Sequence, residues 1–155
     1  MHATGVVHCD VKPANLLGDD GRLILVDLGT AEAIGGDLIH PARRTGDVVG
    51  SPAYMAPKVV RGEPRRPPAD LWSFGATLYA AVEGSPLFRR ADAASTLAAV
   101  LHEPPAPARL AGRLSPLVCA LLVKEPADRP SYEEIRAALA AACGVASRPR
   151  IGAGR

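Results

Sequence analysis

Residues 14–17 (Ala-Asn-Leu-Leu) and 22–26 (Arg-Leu-Ile-Leu-Val) are short apolar runs on either side of Gly18-Asp19-Asp20-Gly21. Strand-sized runs around a Gly/Asp turn predict a β-hairpin. Residues 28–58 follow, interrupted by Gly29, Gly35, Gly36, Pro41, Gly46, Gly50, Pro52 and Pro57. Such punctuation predicts irregular backbone, and a loop of that length inside a domain is usually functional or disordered. Helical patterning then takes over. Asp70 precedes an apolar run to Val82 with Gly84 as a stop, which makes Asp70 the predicted N-cap. A second helix is predicted over 92–101, ended by Pro104-Pro105. A third starts at Ser115 with Pro116 in its first position and runs to about Lys124. A fourth starts at Ser131, where Glu134 completes a capping box, and runs to about Ala142 before Gly144. The predicted fold class is α+β, mainly α-helical: one domain over 1–143 with a small hairpin, a long loop and a helical body. Residues 144–155 form a basic Gly/Pro-containing tail expected to be disordered.

Composition narrows this picture. A chain of 155 residues fits one domain, and 48% hydrophobic residues argue against disorder throughout. Aromatics are only 4%, so the core must rest on Leu, Val, Ile and Ala. A net charge of +2 gives no reason to expect nucleic acid or a membrane surface as partner. Every apolar stretch is broken well short of the roughly 18 residues of a membrane span. The N-terminus lacks the basic and apolar regions of a signal peptide. Cys9, Cys119 and Cys143 are odd in number and lack metal-ligand spacing. Reduced thiols in a cytoplasmic setting are the simplest expectation.

The polar residues with chemical potential cluster early. His8-Cys9-Asp10-Val11-Lys12-Pro13-Ala14-Asn15 sets a carboxylate, an ammonium and a carboxamide just before the first strand. Asp27-Leu28-Gly29 follows the second strand directly. A hairpin should bring Asn15 and Asp27 to one end, and two oxygen ligands there suit Mg²⁺, which otherwise takes phosphate oxygens and water.

These two motifs, in this order, resemble the catalytic loop and the metal-binding Asp-Phe-Gly motif of protein kinases, with Lys12 in the Ser/Thr-kinase position. Further motifs follow in family order. Gly50-Ser51-Pro52-Ala53-Tyr54-Met55-Ala56-Pro57 is similar to the substrate-binding end of the activation segment. Asp70-Leu71-Trp72-Ser73-Phe74-Gly75 is similar to the start of the central helix, Gly84-Ser85-Pro86-Leu87-Phe88 to the turn after it, and Asp128-Arg129-Pro130 to the late arginine motif. The resemblance covers about residues 4–142 and is nearest to the Ser/Thr kinases of high-GC bacteria. It implies a kinase C-terminal lobe, ATP and Mg²⁺ as cofactors, and a protein Ser/Thr hydroxyl as acceptor.

The resemblance also implies roles. Asp10 would orient or accept the proton of the acceptor hydroxyl. Lys12 would neutralise the transferring γ-phosphoryl group. Asn15 and Asp27 would hold Mg²⁺ across the ATP phosphates. The Ser51 hydroxyl would tie the substrate segment to Asp10 and Lys12. His8, Asp70 and Arg129 would be structural, with Asp70 accepting hydrogen bonds from the catalytic-loop backbone. Trp72 reads as core, and His2, His40 and His102 show no usable metal spacing. Thr45 is the candidate phosphosite, with Thr30 and Ser51 as other hydroxyls in the segment.

Three departures matter. Cys9 stands where the family has an Arg that pairs with a phosphorylated loop residue, so activity should depend less on such phosphorylation. Lys58 stands where the family has a Glu paired with the residue matched by Arg129; a like charge facing Arg129 predicts that Lys58→Glu stabilises the fold. Upstream of the catalytic loop the chain is too short for the N-terminal lobe, with its Gly-rich loop, strand lysine and adenine hinge. The missing lobe should leave apolar surface exposed for aggregation or a partner. Three readings follow: a Ser/Thr kinase present as a truncated catalytic domain, an inactive kinase lobe acting as a protein-binding module, and a kinase-like small-molecule phosphotransferase. The Ser51–Pro57 segment and Arg129 motif argue against the last.

Overall fold

The structure, a computed structural model, describes residues 2–34 and 51–144. Its strands are β1 (Val6–Val7), β2 (Leu16–Asp19), β3 (Arg22–Leu25) and β4 (Glu32–Ala33). Its helices are α1 (Pro57–Val60), α2 (Pro67–Glu83), α3 (Ala93–His102), α4 (Ser115–Leu121) and α5 (Tyr132–Cys143). The fold is therefore mainly helical with a little antiparallel sheet, as the sequence pattern predicts. Thr45 and the tail beyond Gly144 lie outside the described residues.

The hairpin forms two residues later than predicted at its first strand. Residues 13–15 make a 3-10 turn with Pro13 at its start, and pairing begins at Leu16↔Leu25 and ends at Asp19↔Arg22. Asp20 (φ +41°) and Gly21 (φ +77°) form the two-residue turn, where positive φ at both positions matches the twist of the flanking strands. Strand β4 was not legible as a strand. It has two residues and depends on a partner far away in sequence, through Val6↔Ala33 and Val7↔Glu32.

Asp70 is not the N-cap. Helix α2 starts three residues earlier, with Pro67 and Pro68 in its first turn and Arg66 as N-cap without a side-chain cap. Proline lacks the N–H that would be unpaired there, so the helix opens without a capping oxygen. The Asp70 carboxylate is thereby left to other donors. Gly84 (φ +77°) ends α2 and donates its N–H to Ala80 O. Asp92 caps α3 by accepting from Ser95 N, and Ser131 with Glu134 forms the predicted capping box on α5. Helix α4 stops at Leu121, short of Lys124. The chain turns there because the carbonyls of Val123 and Lys124 accept from the Arg129 guanidinium at 2.9 and 3.0 Å.

Helix α2 is buried on two sides. Trp72, Ala76 and Tyr79 pack with Phe88, Val100, Val118 and Leu122. Leu71, Phe74 and Leu78 pack against Leu117, Leu121 and Ile135. A helix apolar on both sides belongs at the centre of a domain, and this one carries Asp70 at its N-terminal end, under the His8–Asn15 loop.

Candidate active site

The His8–Asn15 loop is held from below by Asp70, which is 4% exposed. Asp70 Oδ2 accepts from His8 N at 2.8 Å and Oδ1 from Cys9 N at 2.9 Å. His2 Nε2 reaches Oδ2 at 2.7 Å, a partner the sequence reading missed because no motif links positions 2 and 70. His8 is fully buried. Its Nε2 donates to Val26 O at 3.1 Å and its Nδ1 accepts from Asp10 N at 3.4 Å, which assigns the ring hydrogen to Nε2. Thr30 Oγ donates to His8 O at 3.2 Å. The loop is thus fastened to α2, to the end of β3 and to the turn after it.

Three chemical groups interlock on this loop. Lys12 Nζ lies 2.6 Å from Asp10 Oδ2. Asn15 Nδ2 donates to Asp10 O at 2.9 Å and to Asp10 Oδ2 at 3.1 Å. The Asp10 side chain is about 10% exposed and that of Lys12 about 22%, so the pair sits at the surface of a rigid loop. Cys9, just before Asp10, has φ +69°, and Asp27 has φ +66°. Left-handed backbone costs such residues on the order of 1–3 kcal/mol and persists only where surrounding bonds fix it. For Asp27 one such bond is Gly29 N to its Oδ1 at 3.1 Å.

Val26 N donates to Asn15 O at 2.9 Å, which brings Asp27 beside Asn15 at one end of the hairpin. Because both Asn15 Nδ2 bonds go to Asp10, its carbonyl oxygen is the amide atom left for a cation. Asp27 Oδ2 takes no hydrogen bond among the described residues. One amide oxygen and one carboxylate match the sparse protein ligation of Mg²⁺. No group of three or more His, Cys, Asp or Glu residues with metal-binding geometry occurs among the described residues, so a site built wholly of protein ligands is not offered there.

Ser51 lines a pocket with Cys9, Asp10, Tyr54, Arg65 and Asp70, while Lys12, Asn15 and Asp27 lie outside it. The Ser51 hydroxyl makes no hydrogen bond to Asp10 or Lys12 among the described residues. The segment is instead tied down by Ser73 Oγ, which donates to Tyr54 O at 2.8 Å. Burial pushes the Cys9 thiol up to about 11, despite a hydrogen bond from Arg65, so it is a poor nucleophile at neutral pH.

Arg129 is buried and donates to three carbonyls: Nη1 to Pro68 O, Nε to Val123 O and Nη2 to Lys124 O. Its guanidinium also lies 5.2 Å from the centre of the Trp72 ring. The expected clash with Lys58 does not arise. Lys58 Nζ pairs with Glu125 at 2.9 Å, with Glu63 at 4.0 Å, and the premise for a stabilising Lys58→Glu exchange falls with it.

Comparison with known proteins fits this geometry. The family model for the protein kinase domain matches residues 1–139. Serine/threonine-protein kinase PkaA of Streptomyces coelicolor is 37% identical over 139 residues, covering 86% of this chain and 25% of that protein. Serine/threonine-protein kinase PknK of Mycobacterium tuberculosis is 36% identical over 137 residues, covering 84% of this chain and 12% of that protein. Serine/threonine-protein kinase PDK1 of Cryptococcus neoformans is 34% identical over 140 residues, 88% of this chain and 11% of its own. The chain thus spans about a quarter or less of these relatives' lengths. A family match over most of its length, on a fold that interlocks Asp10, Lys12 and Asn15, shows that the chain belongs to the protein kinase family.

Proposed function

We propose that this chain is the C-terminal-lobe portion of a serine/threonine protein kinase, residues 1–143, which transfers the γ-phosphoryl group of ATP to a protein Ser or Thr hydroxyl. The interlocked Asp10–Lys12–Asn15 cluster, with Asp27 beside it, is the observation that carries this reading. Asp10 receives or orients the hydroxyl proton of the acceptor. Lys12, 2.6 Å from Asp10, presents its ammonium where the transferring group gathers negative charge. Asn15 and Asp27 offer the oxygens that would hold Mg²⁺, which supplies charge neutralisation on phosphate oxygens. Asp70 keeps the loop backbone fixed, so the reacting groups need little rearrangement. Ser51 belongs to the segment that receives the protein substrate, and Thr45 is the proposed phosphosite. A cytoplasmic location belongs to the same proposal, since ATP is the donor.

The test is phosphoryl transfer from labelled ATP to a generic basic protein in Mg²⁺, compared with Asp10→Asn. Dependence on both Mg²⁺ and Asp10 supports the reading. Transfer that survives Asp10→Asn undifferentiated refutes the assignment.

A second reading is a binding module that needs a partner above the hairpin. Leu23 is 67% exposed and Leu28 60%. By strand register, Leu17 and Ile24 share one hairpin face, and Leu16, Leu23 and Leu25 the other. Apolar residues on both faces suit a hairpin covered on both sides. No transfer by the chain alone, with transfer restored by a kinase N-terminal lobe, would join the two readings.

A further inference from the structure

Cys9 stands immediately before Asp10 in left-handed backbone, and two groups grip its peptide units. Its N–H donates to Asp70 Oδ1 at 2.9 Å, and its carbonyl accepts from Arg65 Nη1 at 3.2 Å. Arg65 comes from the link between α1 and α2, and its side chain is only 7% exposed. Its Nε lies 3.7 Å from Glu32 Oε1, on a side chain 17% exposed. Glu32 belongs to β4, paired with Val7 on β1, which leads directly into His8 and Cys9. The contacts therefore close a ring: Cys9, Arg65, Glu32, Val7 and back to Cys9.

Chemistry explains why these residue types fit. A planar guanidinium can donate from Nη1 to a carbonyl while its Nε faces a carboxylate, which a lysine ammonium does less well. A nearly buried guanidinium without an anion is costly, and Glu32 supplies that anion from the chain itself. Cys9 brings no charge of its own. The cation beside it comes from Arg65, and its counter-charge is encoded rather than added by modification.

We propose that Glu32 and Arg65 form a positioning pair that holds Cys9, and through it Asp10, in place without a phosphoryl group on the loop between β4 and Ser51. The pair's catalytic meaning rests on the kinase reading above; its structural effect does not. Arg65 reaches the Cys9 carbonyl and Glu32 reaches Arg65, so the pair acts on Asp10 through the Cys9 peptide.

Site-resolved hydrogen exchange on the phosphatase-treated 155-residue chain tests this. Wild type should protect the Cys9 and Asp10 amides. Arg65→Gln and Glu32→Gln should each speed exchange there by about tenfold or more while the amides of α5 keep their rates. The double variant should exceed neither single by a meaningful factor, because both remove one shared interaction. The pair is refuted by unchanged exchange at Cys9 and Asp10, by additive effects, by loosening spread evenly through α2–α5, or by wild-type protection that appears only after phosphorylation. A parallel transfer assay separates the two claims. If wild type transfers phosphate, kcat should fall about tenfold in Arg65→Gln with KM for ATP unchanged, and an unchanged kcat also refutes the pair. A wild type that transfers nothing even when a kinase N-terminal lobe is supplied, yet shows the coupled exchange pattern, counts against the kinase reading and leaves the pair standing.

Discussion

Lys58 and Lys124 show how a cation's effect depends on the groups around it. Lys58 pulls Glu125 below the usual carboxylate range, chiefly through their hydrogen bond. Lys58→Glu would place two carboxylates in that contact, so the melting temperature should fall; an increase would restore the clash with Arg129 as the governing term. Lys124 donates to Val100 O at 2.5 Å and lies 4.3 Å from the Phe88 ring centre and 5.0 Å from that of Trp72. Burial first, then Glu103 in the opposite sense, leaves its amine at about 8. The ring contacts favour the charged form and limit this depression. From pH 8 to 9 the unfolded chain keeps a proton that folded Lys124 has lost, so stability rises with pH. Its partial exposure holds the slope well below the roughly 1.4 kcal/mol per pH unit of one full proton. Above pH 9 folded Cys9, raised to about 11 by burial, retains a proton that the unfolded thiol releases, so its effect opposes that of Lys124. Urea midpoints should therefore rise from pH 8 to 9 and level off above it. Lys124→Met should abolish the rise, and Cys9→Ser should extend it. None of this was visible in the sequence, because Glu125, Val100 and the aromatic rings reach these lysines through the fold.

Helix α2 sets the tolerance of the elements around it. Gly75 sits mid-helix, where alanine would ordinarily be favoured by about 1 kcal/mol. Here a Cβ would lie 2.6 Å from Leu121 Cβ and 3.3 Å from Leu122 Cγ. Both neighbours are core residues at the end of α4, and overpacking of this kind costs about 1–3 kcal/mol. The clash should win, so Gly75→Ala should lower unfolding free energy by up to roughly 2 kcal/mol in urea titration; a gain would mean that α4 moves away freely. The element boundaries show the limits of local signals. The Ser131–Glu134 box and Gly84 were readable because each cap uses neighbours in sequence. The start of α2 was misread because Asp70 looks like a cap but spends its oxygens on His8, Cys9 and His2. Strand β4 was missed because two residues carry no period.

At the scale of the molecule, Arg129 joins parts that no helix connects. Its three bonds reach the first turn of α2 and the turn after α4, while its guanidinium lies against Trp72 in the larger core. Arg129→Met keeps much of the stem volume but leaves three carbonyls without that donor. A loss of about 3 kcal/mol or more is expected, a large share of a domain's usual 5–15 kcal/mol. A chemical-denaturation midpoint close to wild type would show that water takes over those carbonyls. The chain by itself determined the kinase relationship, the mainly helical class, the hairpin and most caps, because motifs and capping patterns are local in sequence. Only the tertiary structure decided that His2 joins the loop amides on Asp70, that Lys58 faces Glu125 and that Arg65 stands between Cys9 and Glu32. Those outcomes depend on which distant groups compete for each charge once the backbone has closed, and no spacing along the chain encodes that competition.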